Sequence, residues 1–90
     1  MTKSLYEERI EKFDKIERAL NSGEATIGQA IRMIRTELYC MTQSDFAKFC
    51  GISDKTLRDI ERGNTDPRLS IVSKLLYRGG FKLGASRITK

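Results

Sequence analysis

Residues 42–63 read TQSDFAKFCGISDKTLRDIERG, and this stretch decides the fold. Thr42 carries a hydroxyl able to cap a helix, with Asp45 at the third helical position. Phe46, Ala47 and Cys50 then recur at helical spacing and face inward. Gly51-Ile52 makes a tight turn, with Ile52 plugging it. Ser53 caps a second helix, in which Leu57 and Ile60 are the inward residues, and Gly63-Asn64 closes it. Small Ala47 stands where the two helices must approach each other.

The same logic extends in both directions. Upstream, Ser4 with Glu7 three residues on marks the start of a long amphipathic helix. Its apolar stripe is Tyr6, Ile10, Phe13, Ile16 and Leu20, and acid-then-base pairs such as Glu8–Lys12 and Glu11–Lys15 line its wetter faces. Asn21-Ser22-Gly23 ends it. The next helix starts at Thr26 with a capping partner in Gln29, and buries Ile27, Ile31, Ile34 and Leu38. Downstream, Asp66-Pro67 pairs a cap with a first-turn proline. That predicts a fifth helix over 67–78, burying Leu69, Val72, Leu75 and Leu76 and stopped by Gly79-Gly80. After it, Phe81-Lys82-Leu83-Gly84-Ala85 alternates like a half-buried strand. With no second strand in the chain, Phe81, Leu83 and Ala85 are expected to pair with their copies in a dimer. The fold class is therefore all-α, with an additional N-terminal helix (1–24), a central domain (25–79) and a C-terminal strand or tail (80–90).

Composition narrows the function. The 90 residues carry 17 basic and 12 acidic side chains, a net charge of +5. The excess is not uniform: residues 1–24 sum to −1 and residues 25–90 to +6. A basic domain suits a polyanionic partner, because neutralised phosphates release counterions. There is no histidine, no CxxC pair and no GxxxxGK[ST] loop, so zinc, Cys-His or Ser-His chemistry and phosphate-loop binding lack their residues. No enzyme activity, metal or cofactor is expected. Cys40 and Cys50 read as reduced, structural thiols. No apolar run is long enough for a membrane span and no hydrophobic signal region leads the chain, which points to a cytoplasmic protein.

Two short capped helices about a glycine turn form the helix-turn-helix arrangement, whose second helix enters the DNA major groove. An ordinary helical hairpin has the same periodicity. The wider pattern favours the first reading. Ile31 and Arg35, then TQSDFA, GIS, Leu57, IERG and Pro67 before a last helix, resemble the lambda-repressor-like (Cro/XRE) helix-turn-helix family over residues 27–76. The resemblance implies a sequence-specific repressor, dimeric on a pseudo-palindromic operator in double-stranded DNA. Two features depart from the pattern. The connection from Arg35 to Gln43 is one residue longer, so a bulge is expected at Leu38–Met41. Phe49 stands where a polar surface residue is usual, to be covered by the N-terminal helix or offered to a partner.

Site roles follow from the resemblance. Gln43 corresponds to the residue that bonds a phosphate and braces the recognition helix, with Thr42 and Ser44 beside it. Ser53 and Thr56 open the recognition helix, and Arg62, Asn64 and Arg68 follow it as further phosphate contacts. Asp54, Lys55, Arg58 and Asp59 project outward as base readers. Lys55 and Arg58 suit guanine O6 and N7, and an aspartate suits cytosine N4. Asp54 also serves the helix dipole. Glu61 is expected to pair with Arg35 rather than read DNA.

The ending LLYRGGFKLGASR resembles the tail of HipB-like antitoxins, which form an intersubunit sheet and repress their own operon. That resemblance implies a cognate toxin, such as a HipA-like kinase, as a further partner. A phage-type or stand-alone repressor is the alternative. A protein-interaction module that neutralises a partner without reading DNA is the rival of another class, supported by the acids Asp54 and Asp59.

Overall fold

Hydroxyl caps open four of the helices. Ser4, Thr26, Thr42 and Ser53 each accept the backbone N–H three residues on, all at 3.1 Å. At Thr26 the box is reciprocal, since Gln29 Oε1 accepts the Thr26 N–H at 2.8 Å. The computed structural model describes residues 2–88; Met1, Thr89 and Lys90, at the outer ends of the two flanking regions, lie outside the described residues. The helices are α1 (Leu5–Ser22), α2 (Ile27–Met33), α3 (Gln43–Cys50), α4 (Asp54–Arg62) and α5 (Leu69–Arg78). None of them is long and apolar enough to cross a membrane.

A π-helical turn, Ile34–Leu38, continues α2. There the Tyr39 N–H bonds Ile34 O at 3.1 Å, skipping one residue more than an α-helix does. Cys40 follows in the left-handed region at φ +52°. The extra residue between Arg35 and Gln43 is thus absorbed partly within the helix, one turn before the expected bulge, and partly at Cys40.

The core is built around α2, which packs on α4, α1 and α5, while α3 packs on α4 and α5. Ile16, Ile31, Ile34, Phe46, Leu57 and Leu75 are fully buried in it. Gly28 lets α2 and α4 approach at their backbones. A Cβ there would lie 2.2 Å from Ile60 O and 3.1 Å from Glu61 O, so no side chain fits.

Several expectations need correction. Ile27 and Leu69, expected in the core, are exposed. For Leu69 the reason is that α5 begins after Pro67: Arg68 is its extended N-cap, without a side-chain cap bond. Leu69 therefore opens the first turn at the surface. On α1, Ile16 is buried and Phe13 and Leu20 are half-buried, but Tyr6 and Ile10 are exposed. An 18-residue helix spans about 27 Å, longer than the α2–π rod it lies on, so its first turns overhang. Lys15 reaches across to Glu37 at 3.4 Å rather than forming the expected tie along α1.

The tail is the largest correction. Among the described residues there is no strand. The Phe81 ring stacks on Phe13 of α1, with centroids 4.6 Å apart and planes 4° from parallel. Leu83 packs, half-buried, beside the core, and Ala85 is exposed. A strand needs a ladder partner for its backbone, and the described chain supplies none. What it supplies instead is apolar cover on α1, which the aromatic ring takes.

Phe49 is not covered by α1. It stays 39% exposed, its ring 5.3 Å from that of Tyr39, with the Arg78 guanidinium 4.3 Å above it.

Candidate nucleic-acid interface

The α3–α4 unit is held by its turn. Gly51 takes φ +73°, and the next residue, Ile52, returns its N–H to Ala47 O at 2.9 Å. Left-handed backbone suits glycine because a Cβ would crowd the following carbonyl. With Leu57 and Ile60 buried below, α4 turns its other side outward.

On that side Asp54, Lys55 and Arg58 are exposed and Asp59 is half-exposed. The four expected base-reading side chains thus share one face. Lys55 Nζ donates to Asp59 Oδ2 at 2.8 Å. The spacing is i,i+4, but with the base first and the acid second, the less favourable order along a helix. A search for acid-then-base pairs passes over it; a search for either order would have found it. Arg58 forms no salt bridge among the described residues.

The expected positioning residues fall into three groups. Thr42, Gln43 and Ser44 stand at the start of α3, where Thr42 Oγ1 is occupied by its cap bond to Asp45. Ser53 and Thr56 face each other at the start of α4, the Ser53 hydroxyl donating to Thr56 Oγ1 at 2.8 Å. Arg62, the last residue of α4, and Asn64 and Arg68 beyond it are exposed, and the Asn64 N–H returns to Asp59 O. Phe81 lies elsewhere, on Phe13 of α1, while Leu83 packs against the core and Ala85 is exposed.

Below the face runs a buried polar network. Arg35 Nε and Nη2 donate to the two Glu61 oxygens at 2.7 and 2.9 Å. Arg35 Nη1 donates to Met41 O at 3.0 Å. Gln43 Nε2 adds a third bond to Glu61, at 3.0 Å. Glu61 thereby ties α4 to both the π turn and the first residue of α3. The role of the Met41 carbonyl has no sequence signal, since a backbone oxygen looks the same at every residue.

A Helix-turn-helix family model matches residues 31–76, from within α2 to within α5. That is just over half of the chain. The chain belongs to this family. It is the Cro/C1-type (XRE) helix-turn-helix family of DNA-binding regulators, which is not typically enzymatic. No curated protein and no solved structure matches the chain.

In this helix-turn-helix protein the charges along α4 act on one another. The hydrogen bond from Lys55 holds the Asp59 carboxyl below its ordinary value; desolvation opposes this, and the charges of Lys55, Arg58 and Arg62 reinforce it. Away from the face, burial pushes the Cys50 thiol up, opposed by Arg78 and Lys74.

Proposed function

We propose that this protein is a sequence-specific transcriptional repressor that lays α4 in the major groove of an operator. The supporting observation is the outward face of α4, where Asp54, Lys55, Arg58 and Asp59 stand together above a helix anchored from beneath by Glu61. Lys55 and Arg58 are assigned to guanine edges. Thr42, Gln43, Ser44, Ser53, Thr56, Arg62, Asn64 and Arg68 are assigned to the phosphates on either side. Gln43 is given the additional task of bracing α4 through Glu61.

The acting species is proposed to be a homodimer on a pseudo-palindromic site, with the exposed apolar residues Leu69 and Tyr77 of α5 available to it. Autoregulation of antitoxin type is the finer reading. The described tail forms no strand, so what supports this reading is the apolar surface that α1 leaves open at Leu5, Tyr6 and Ile10, a surface suited to a second protein such as a toxin. The same surface favours the second reading, a module that binds a protein without reading DNA.

Titration against promoter DNA of the protein's own operon, at two salt concentrations and beside a Lys55→Ala/Arg58→Ala variant, separates these. Tight, salt-sensitive binding that the variant loses is the expected result. Binding no tighter than to random duplex would leave the interaction module as the function.

A further inference from the structure

The Lys55–Asp59 pair sets a donor beside an acceptor, 2.8 Å apart, on the exposed face of α4. The ammonium keeps two more hydrogens and the carboxylate a second oxygen, so the pair can bond outward without breaking. We propose that Lys55 and Asp59 read one base pair as a single unit, with Asp59 also restraining Lys55 from indiscriminate phosphate contact. This rests on α4 being the DNA-reading helix.

The chemistry selects the base pair. In the major groove a G·C pair presents the guanine O6 acceptor next to the cytosine N4 donor. These two atoms are Watson–Crick partners, so their separation is itself a hydrogen-bond length. A donor–acceptor pair held at the same spacing matches them: Lys55 Nζ to O6, Asp59 carboxylate to N4. A T·A pair offers the same order, with thymine O4 and adenine N6. The remaining ammonium hydrogens decide between the two, because guanine adds the N7 acceptor beside O6 and thymine places its methyl group there. The reversed pairs, C·G and A·T, set donor against donor and acceptor against acceptor. The unit therefore reads G·C in one orientation.

The second role follows from charge. An unpaired lysine on this face would bind any phosphate within reach, which adds affinity without specificity. Asp59 opposes that twice, by holding the ammonium and by repelling the phosphate itself. Of the two cations on the reading face, Arg58 is the one left without an ion-pair partner among the described residues.

The test uses the full chain and a random-sequence duplex pool, from which the wild-type protein enriches its preferred sequence. Affinities are then measured with every base pair substituted in turn, for wild type, Asp59→Asn, Lys55→Met, the double variant and Arg58→Ala. Circular dichroism confirms that each variant is folded. The expected result is one position at which Asp59→Asn and Lys55→Met both lose a roughly ten- to hundredfold preference for G·C over C·G, the double variant losing no more. Asp59→Asn should also bind random duplex more tightly, with a salt slope steeper by about one. An unchanged preference profile in Asp59→Asn, or effects of the two variants at different positions, overturns the proposal. If Arg58→Ala still relaxes its own position, only the paired-reader idea has failed. A wild type that enriches no sequence removes the DNA-reading assignment as well.

Discussion

Arg35 at the π turn and Glu61 near the end of α4 meet as a two-bond fork whose carboxylate side chain is only 4% exposed. The fork spans 26 residues of sequence, and Gln43 closes it into a three-element joint. It sets how α4 sits on the rest of the protein, so its loss should be felt in stability before it is felt in DNA binding. Removing one partner strands a buried charge, at a cost of about 3–5 kcal/mol. Glu61→Ala should therefore unfold at markedly lower urea than wild type. A variant of normal stability that merely failed to bind DNA would make Glu61 a reader instead.

Gly28 presents the opposite problem, an approach too close for any side chain. The atoms that a Cβ would meet are the Ile60 and Glu61 carbonyl oxygens, and backbone cannot rotate aside. Gly28→Ala should cost about 1–3 kcal/mol as overpacking and tilt α4. Gly84→Ala, whose Cβ would meet nothing within 4 Å, is the control and should melt with wild type. Equal melting of both variants would show that α2 and α4 do not touch here.

Thiol labelling distinguishes the two cysteines. Cys40 is exposed and Cys50 buried, and burial further disfavours the Cys50 thiolate, the reactive form. Mass spectrometry of the folded protein treated with iodoacetamide at neutral pH should find one adduct, on Cys40. The second should appear only with denaturant. Rapid double labelling would mean that α3 is not packed on α5 as described.

Cys40 also carries conformational strain, at φ +52°. Cys40→Gly should raise stability by up to about 1 kcal/mol, since glycine enters this region without a Cβ clash. A loss of several degrees in melting temperature would argue that the loop has another conformation.

For Asp59 the sign of the pH effect is set by its lowered carboxyl value. Whatever the Lys55 bond contributes is present above the ordinary aspartate range and is lost as pH falls through the depressed value. An NMR titration should place the Asp59 midpoint below that of a free aspartate, and Lys55→Met should return it upward. A midpoint indifferent to Lys55 would show that the two side chains do not pair in solution.

The pieces legible in the sequence are those whose physics is local. Ser4, Thr26, Thr42 and Ser53 can be assigned as caps because a hydroxyl and the N–H it accepts are three residues apart. The buried residues of α3 and α4 can be read because helical periodicity brings Phe46 and Cys50, or Leu57 and Ile60, to one side. Pairing of Lys55 with Asp59 is equally local and was hidden only by its base-first order.

Errors begin where burial depends on what lies opposite. Ile10 fits the α1 stripe as well as Ile16 does, yet α2 covers one and not the other. Leu69 has the right period for the core, but the helix starts two residues later than Pro67 suggests, at the residue itself. Alternation in the tail says that Phe81 and Leu83 seek cover. It does not say from whom.

The sequence by itself therefore determined the helix order, the capped α3–turn–α4 unit and the set of side chains that α4 turns outward. Only the tertiary structure decided that α2 meets α4 backbone to backbone at Gly28, that Met41 O completes the Arg35 joint, and that Phe81 lies on Phe13 instead of in a strand. The division has one physical cause. Helix periodicity and capping join residues a few positions apart, so they can be read along the chain. Cover, close approach and backbone acceptors join residues that are neighbours only after the chain has folded.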